Sequence, residues 1–504
     1  MRCPLCHALL ALTLLCNLLL LYYTWRLRPE PRPPSSLSAG ITVIVREFRP
    51  FEHGLAELHR SFLRARPALQ ILVASELAPY PPVPGISLLR LHPSPELPSA
   101  AARLESHVHT RLVALVPDGC ALDPPDLLER MARGLRDAAP GVRLVAAGAG
   151  AALHCLHLNV SQREWTAQYR VAGGRESCGA VAGAAVILMR SRDLFDLPFP
   201  LSRPLLAAIF IQAALRGWRV KVMDDVMFPR TPFPATDHGR WKAEQAERAE
   251  EAATMRALGV KLLRGLDGGE RWFGCTKETP RCFGTVVGET PDYLYEGRWT
   301  PPCCLRALRI TALHVIKVLE ANNVRYWLEG GSLLGAARHR DIIPWDYDVD
   351  LGIYLEDIAL CPELRGAQEG SLVDEEGFVW ERAVEGDFFR VQYSQTNHLH
   401  VDLWPFYPRD GLMTRDSWTG HPQDIEFPER FLRPLQTLPF AGALVQAPNR
   451  HVELLKMKFG ERAIEEPEYP NPALLRMGGA VRPERGLKGG MWGTGRGRRT
   501  IGGR

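Results

Sequence analysis

Apolar residues come in short runs through the first half of the chain. Ile41–Val45, Leu69–Val73, Leu112–Val116, Leu144–Ala147 and Val186–Met189 are rich in Val, Ile and Leu. Runs of that length between polar segments predict buried strands. Stretches with helical patterning lie between them, as at Pro125–Asp137 and Leu205–Arg216. Strands alternating with helices predict a mostly parallel sheet with helices on its faces. Trp241–Leu258 is rich in Ala, Glu, Arg and Lys and predicts a solvated helix, which Gly259 would end. It is the expected connection between two domains, 41–270 and 271–475.

One apolar run is longer than the rest. Leu5–Tyr23 is interrupted only by His7, Thr13 and Asn17. As a helix it spans about 28 Å at ~1.5 Å per residue, enough for a bilayer core. Tyr22, Tyr23 and Trp25 at its end suit a membrane interface. Bulky residues lead straight into Arg26 and Arg28, without the small residues of a signal-peptide cleavage site. An uncleaved anchor over 5–25 is therefore expected, with residues 1–4 as a short cytoplasmic end. Counted alone, Arg26, Arg28 and Arg32 point the bulk of the chain to the cytosol. Residues 26–40, rich in Pro, Ser and Arg, predict an extended spacer. Asn159-Val160-Ser161 is a glycosylation acceptor motif and fits a lumenal body.

Composition narrows the class. A chain of 504 residues that is 46% hydrophobic can bury two or more cores, which excludes a peptide hormone or small disulfide-stapled module. The net charge of +4 is local. Residues 476–504 hold seven Arg and one Lys against one Glu, a tail of +7 that leaves −3 for the rest of the chain. A basic surface for nucleic acid is not a property of the folded body. The tail itself, rich in Gly and Arg, predicts disorder.

Cysteines supply the first candidate chemistry. Cys155 and Cys178 suit a disulfide in a secretory lumen. Cys275, Cys282, Cys303 and Cys304 suit a structural zinc site of four thiolates, or two disulfides. In the first domain, Val116-Pro117-Asp118-Gly119 ends a strand in a turn, where nucleotide-sugar glycosyltransferases often place metal-binding acids. A lone Asp before Gly is ordinary turn chemistry, so a glycosyltransferase-like but non-catalytic domain is expected.

The second domain carries more. Val324–Leu328 predicts a strand that runs into Glu329-Gly330-Gly331-Ser332, with a helix at Leu333–Arg338. Glycines at such a turn let backbone N–H groups approach a phosphate, and Ser332 can cap the helix or bind it. Asp346, Asp348 and Asp350 alternate along what reads as a strand, so all three carboxylates are expected on one face. Like charges in a row are costly without a cation, and Mg²⁺ or Mn²⁺ takes such oxygens. His398, His400 and Asp402 alternate in the same way. Asp402 can complete the metal site from a neighbouring strand, and the two histidines are candidates for substrate contact or for the core. Arg338, Arg390, Lys456 and Lys458 are candidate phosphate clamps.

Gly330-Gly331-Ser332-Leu333-Leu334-Gly335, Arg338 and Ile343-Pro344-Trp345-Asp346-Tyr347-Asp348-Val349-Asp350 resemble the LicD-type phosphotransferases of the nucleotidyltransferase superfamily. Trp272–Thr279, the four cysteines, Asp346–Asp357 and His398–Tyr407 narrow that resemblance to the vertebrate branch of the family. It covers the chain from the anchor to about Leu475 and does not extend into the tail. The resemblance implies α/β and α+β architecture: an anchor, a glycosyltransferase-like stem domain, and a nucleotidyltransferase-like catalytic domain with a zinc-binding segment. It implies a single-pass type II protein of the Golgi membrane with a lumenal body, which overrides the charge count.

The activity it implies is transfer of ribitol 5-phosphate from CDP-ribitol to the phosphorylated O-mannosyl glycan of α-dystroglycan, as the second of a tandem, with release of CMP. Asp348, Asp350 and Asp402 would hold Mg²⁺ or Mn²⁺, and Asp346 would bind metal or act as base. Gly330, Gly331 and Ser332 would hold donor phosphate. Self-association and association with fukutin-like Golgi enzymes are implied as well. A nucleotide-sugar glycosyltransferase and a non-catalytic Golgi scaffold are the alternatives.

Overall fold

The computed structural model describes residues 40–469, apart from 92–102, 175, 232–235, 285, 287–290, 419 and 468. The expected anchor, its spacer and the tail lie outside the described residues. No helix among the described residues is long and apolar enough to cross a membrane. The architecture is mixed α/β, in two compact units that do not follow chain order. Among the described residues, one lies within 40–153, 183–195 and 221–231, the other within 154–182, 196–220 and 236–469.

The first unit is built on a sheet of seven strands. These are β1 (Ile41–Val45), β2 (Gln70–Ser75), β3 (Ser87–Arg90), β4 (Leu112–Leu115), β5 (Val142–Ala149), β9 (Ala185–Arg190) and β10 (Arg219–Phe228). Their order is β10-β5-β9-β4-β1-β2-β3. β1 pairs in parallel with β2 and β4, with Val43 opposite Ile71 and Ala114. The sheet is more mixed than the alternation of strands and helices predicts. β9 runs antiparallel to both β4 and β5, because it returns from the inserted residues 154–182 instead of from a crossover helix. Helix α1 (Leu55–Ala65) buries Leu55, Leu58 and Phe62, one face at helical spacing, and α2 (Leu127–Arg136) buries Leu127, Leu128, Met131 and Leu135.

The second unit holds three sheets. A small one runs β12-β11-β7-β6-β8, from β6 (His154–Ser161), β7 (Thr166–Val171), β8 (Ala180–Ala182), β11 (Leu262–Arg264) and β12 (Glu270–Trp272). Cys155 on β6 is bonded to Cys178, with Cα atoms 5.4 Å apart, and Asn159 is exposed on the same strand. Helices α3 (Leu205–Leu215) and α4 (Asp237–Ala257) follow in the chain. The apolar α3 is mostly buried, while α4 buries only Thr254 and Met255, as its charged composition predicts.

The larger sheet carries the site. It contains β13 (Tyr326–Leu328), β14 (Val349–Tyr354), β15 (Leu372–Val373), β16 (Val379–Arg382), β17 (Phe389–Gln392) and β18 (His400–Arg409), in the order β13-β14-β18-β17-β16-β15. β19 (Leu412–Thr414) pairs with β18 and with β20 (Phe427–Pro428), and β21 (Gln436–Phe440) pairs with β22 (Ala443–Ala447). Helix α5 (Pro302–Ala321) opens on proline, whose missing N–H costs nothing in the first turn. It packs on the core through Leu308, Ala312, Val315 and Leu319. Helix α6 (Gly330–His339) follows β13 at once, then come α7 (Pro362–Glu369) and α8 (His451–Phe459). Gly352 on β14 sits under the ring of Trp327; a Cβ there would lie 2.2 Å from it.

Candidate active site

β14 and β18 are parallel, with Asp350 opposite Asp402. Two carboxylates from separate strands therefore project from the same level and face of one sheet. Arg390 on β17 lies opposite Asp402 on the other side and forks onto it, Nε to Oδ1 at 2.9 Å and Nη2 to Oδ2 at 3.0 Å. Asp346 and Asp348 correct the expectation of one continuous strand. They lie in the segment before β14, which begins at Val349. Pro344 and Trp345 make a turn there, and the chain becomes extended only as it reaches the apolar residues that pair with β18. The carboxylates converge all the same: Asp346 and Asp348 share a hydrogen bond, and Asp348 feels the charges of Asp350 and Asp402.

The turn after β13 closes the site. Glu329 is the N-cap residue of α6, and Gly330 takes φ +52°, a left-handed conformation that favours glycine. A Cβ on Gly331 would lie 3.0 Å from Asp346 Oδ2, and one on Gly330 3.5 Å from Asp350 Oδ2. The start of the helix is thus brought against the acids. Ser332 does not cap the helix. Its Oγ accepts the N–H of Asp350 at 2.9 Å, tying α6 to β14.

Burial first, and crowding of like charges at Asp348 and Asp350, show in the protonation equilibria. Burial, opposed by the hydrogen bond from Asp348, pushes Asp346 up to about 6. Burial and the neighbouring charge of Asp402 push Asp350 up to about 7, against a hydrogen bond from Trp404. Burial and the three flanking carboxylates raise Asp348 well above the ordinary range. Such a cluster suits a cation that neutralises it: Asp346 and Asp350 lie against the helix start, Asp348 and Asp402 act on them electrostatically, and carboxylate oxygens of this kind fit a hard divalent ion.

The other candidates fall into place differently. His400 Nε2 is 3.9 Å from Asp402 Oδ2, its Nδ1 is 3.0 Å from the His398 carbonyl, and burial lowers its pKa. His398 is exposed and bonds Gln392. Arg338 is spent on the Ala463 carbonyl, Lys458 on Glu329, and Lys456 on Glu461. A different cation lies near His400. Arg281 packs over Phe283 and donates to the Gly284 carbonyl at 3.1 Å. Its charge is felt by His400, it has Tyr347 and Tyr293 as neighbours, and it ends in no ion pair among the described residues. Tyr293 bonds Thr300 at 2.8 Å, and Thr300 donates to the Asp346 carbonyl at 2.6 Å. None of these three stands out in the chain, because their spacing matches no motif; only the position of Arg281 inside the cysteine segment marks it.

That segment is compact. The Sγ atoms of Cys275, Cys282, Cys303 and Cys304 all lie within 4.8 Å of one another. Cys275 is bonded to Cys304, and the thiols of Cys282 and Cys303 are 3.0 Å apart. A Cβ on Gly274 would lie 3.0 Å from Cys282 Sγ, so glycine leaves room for the fourth sulfur. Four sulfurs at that spacing also match the donor set of a structural zinc site.

Residues 28–265 match the family described as the fukutin-related protein stem domain, and residues 323–450 match the LicD/FKTN/FKRP nucleotidyltransferase domain. A human protein named ribitol 5-phosphate transferase FKRP is 57% identical over 496 residues, 95% of this chain and 100% of its own length. The mouse protein of the same name is 56% identical over 495 residues, again 95% of this chain and 100% of its own. A solved mannosyltransferase from Pyrobaculum calidifontis, in complex with GDP-Man and Mn2+, covers 47% of this chain and 71% of its own. It is 16% identical with a TM-score of 0.27, too low to bear on function.

Proposed function

Because this chain belongs to the fukutin-related protein family, we propose that it is a ribitol 5-phosphate transferase whose chemistry takes place at Asp346, Asp348, Asp350 and Asp402. The observation that carries this reading is the clustering of those carboxylates, with Asp346 and Asp350 against the glycine start of α6. The donor is CDP-ribitol and the acceptor the phosphorylated O-mannosyl glycan of α-dystroglycan, with ribitol phosphate added as the second of a tandem. A Mg²⁺ or Mn²⁺ ion held by Asp348, Asp350 and Asp402 supplies charge neutralisation for the pyrophosphate. Gly330 and Gly331 present backbone N–H groups to the donor phosphates without a Cβ in the way. Asp346 takes the proton of the acceptor hydroxyl, whose oxygen bonds to the phosphorus bearing ribitol while the bond to CMP breaks. Arg281 steadies a phosphate oxygen. Arg390 keeps Asp402 aimed through its two hydrogen bonds.

The cysteine segment, when reduced, holds a structural zinc ion and thereby places Arg281. Residence in the Golgi membrane through the anchor at 5–25, glycosylation at the exposed Asn159, and association with further copies and with fukutin-like enzymes complete the reading.

The test is CMP release by the purified body, residues 41–475, supplied with CDP-ribitol, Mn²⁺ and a phosphorylated O-mannosyl glycopeptide already bearing ribitol phosphate. CMP with a matching mass gain on the peptide, both lost in Asp348→Asn, is the expected result. A nucleoside diphosphate from a sugar donor, or no turnover across a panel of CDP-alditols, overturns it. Metal analysis of the same protein should find one zinc per chain, absent in Cys303→Ser.

A further inference from the structure

Asp350 does not present both of its oxygens freely. The indole N–H of Trp404 donates to Asp350 Oδ1 at 2.9 Å, which leaves Oδ2 toward Gly330. Trp404 lies two residues beyond Asp402 on β18, on the same face, opposite Gly352 of β14. The side chain that orients one acid is therefore carried by the strand that supplies the other.

Trp404 is itself clamped. Phe388 stacks on one side at 4.1 Å between centroids with 22° between the planes. The guanidinium of Arg415 lies 4.1 Å from the indole centroid. Arg415 is buried, bonds Asp424 at 2.6 Å, and also faces the ring of Trp418 at 4.7 Å. A buried cation over an indole draws electron density toward its face and makes the ring N–H a stronger donor. Ring stacking and cation together hold the indole plane, so its N–H can point in one direction only. Among the described residues, no hydrogen bond or ring contact joins Phe388 or Arg415 to the four carboxylates, and both meet Trp404.

We propose that Trp404, clamped by Phe388 and Arg415, is a positioning residue that fixes Asp350 for one-oxygen ligation of the divalent ion. The inference rests on the acid cluster being the metal site. Outer partners of this kind hold a ligand in its binding orientation before the ion arrives, and losing one typically weakens metal affinity by about 10–100-fold. Arg415 contributes a smaller share, since its removal leaves the hydrogen bond in place.

The measurement is Mn²⁺ affinity of the metal-free body, read from the free-ion electron paramagnetic resonance signal, with Asp350→Asn as reference. Trp404→Phe should weaken binding about 10-fold or more. Because phenylalanine also leaves space in the core, a second variant carries 3-benzothienylalanine at position 404, which keeps the ring shape and replaces N–H by sulfur. It should bind Mn²⁺ as weakly as Trp404→Phe, with wild-type melting temperature and near-ultraviolet circular dichroism. Wild-type affinity in that variant overturns the inference alone. Equal Mn²⁺ binding by wild type and Asp350→Asn overturns the acid cluster as metal site, and the inference with it.

Discussion

Asp118 follows β4 in the first unit and Asp350 is the second residue of β14 in the second, but their surroundings differ in kind. Asp118 is buried, and its Oδ2 accepts the Gly54 N–H at 2.9 Å. Burial raises its pKa, opposed by the backbone N–H groups of Gly54 and Gly119 and, more weakly, by the nearby Arg230. Arg230 donates to its backbone carbonyl at 3.0 Å, so the cation there is engaged with the main chain. Asp350 faces Asp402 in register, with Asp348 and Asp346 beside it. One carboxylate held by backbone N–H groups makes a turn. Several carboxylates brought from different segments repel one another until a cation arrives, and the fold must hold them there by other means.

The largest expected effect falls on the second unit. Asp350→Asn should lower the rate of CMP release by on the order of 10³-fold or more, because a metal ligand and a charge are lost together. Steady-state assays at saturating Mn²⁺ would show it, and a loss under tenfold would argue that Asp350 is not a ligand.

Support for the glycine turn comes next. Lys458 and Glu329 form a buried ion pair, and Glu329 also accepts the Trp327 indole N–H at 3.0 Å. Lys458→Met leaves a buried carboxylate unpaired and should cost about 3–5 kcal/mol in chemical denaturation. Adding Glu329→Gln should recover much of that loss, and a merely additive double variant would refute the pairing as the cause.

The response of pH dependence to a divalent ion belongs to the second unit. Asp346 and Asp350 titrate in the folded protein near about 6 and about 7, above their ordinary range. The folded chain therefore binds more protons than the unfolded chain from about pH 4 to about pH 7, and stability falls as pH rises through that window. A divalent ion binds the ionised form, so its stabilisation grows over the same window. Metal-free protein should melt lower at about pH 7.5 than at about pH 5, and Mn²⁺ should raise the midpoint more at the higher pH. An equal shift at both would remove the acids as the binding groups.

The smallest expected effect is the control. Asp118→Asn keeps an acceptor for the Gly54 N–H and should leave CMP release and Mn²⁺ affinity within about twofold, since no second carboxylate joins it. A loss as deep as that of Asp350→Asn would make the two strand ends equivalent and undo the contrast.

Much of this was legible along the chain. β1 spans the residues its apolar run predicts, and β4, β9, α2 and α3 lie within a residue or two of theirs. Periodicity is a local property, so residues a few positions apart report it. The identities of the acids were legible for the same reason, as charged residues out of keeping with their apolar neighbours. Their geometry was not. Alternation placed Asp346 and Asp348 on a strand, whereas the turn at Pro344 keeps them in the approach to it. Arg338 and Lys458 looked free to clamp a phosphate because their partners, the Ala463 carbonyl and Glu329, lie far off in the chain, and Arg390 is held by Asp402 on the next strand and by Glu385 five residues earlier.

Alone, the sequence determined where strands and helices form, which residues carry charge into an apolar setting, and which glycines leave backbone open beside them. Only the tertiary structure decided the pairing of Asp350 with Asp402, the antiparallel return of β9, and the clamp of Trp404 by Phe388 and Arg415. The physical reason is reach. Backbone preference acts over a few residues, while the register of parallel strands and the partner of a buried charge are settled by packing between segments such as Asp350 and Trp404, 54 positions apart, or Glu329 and Lys458, 129 apart.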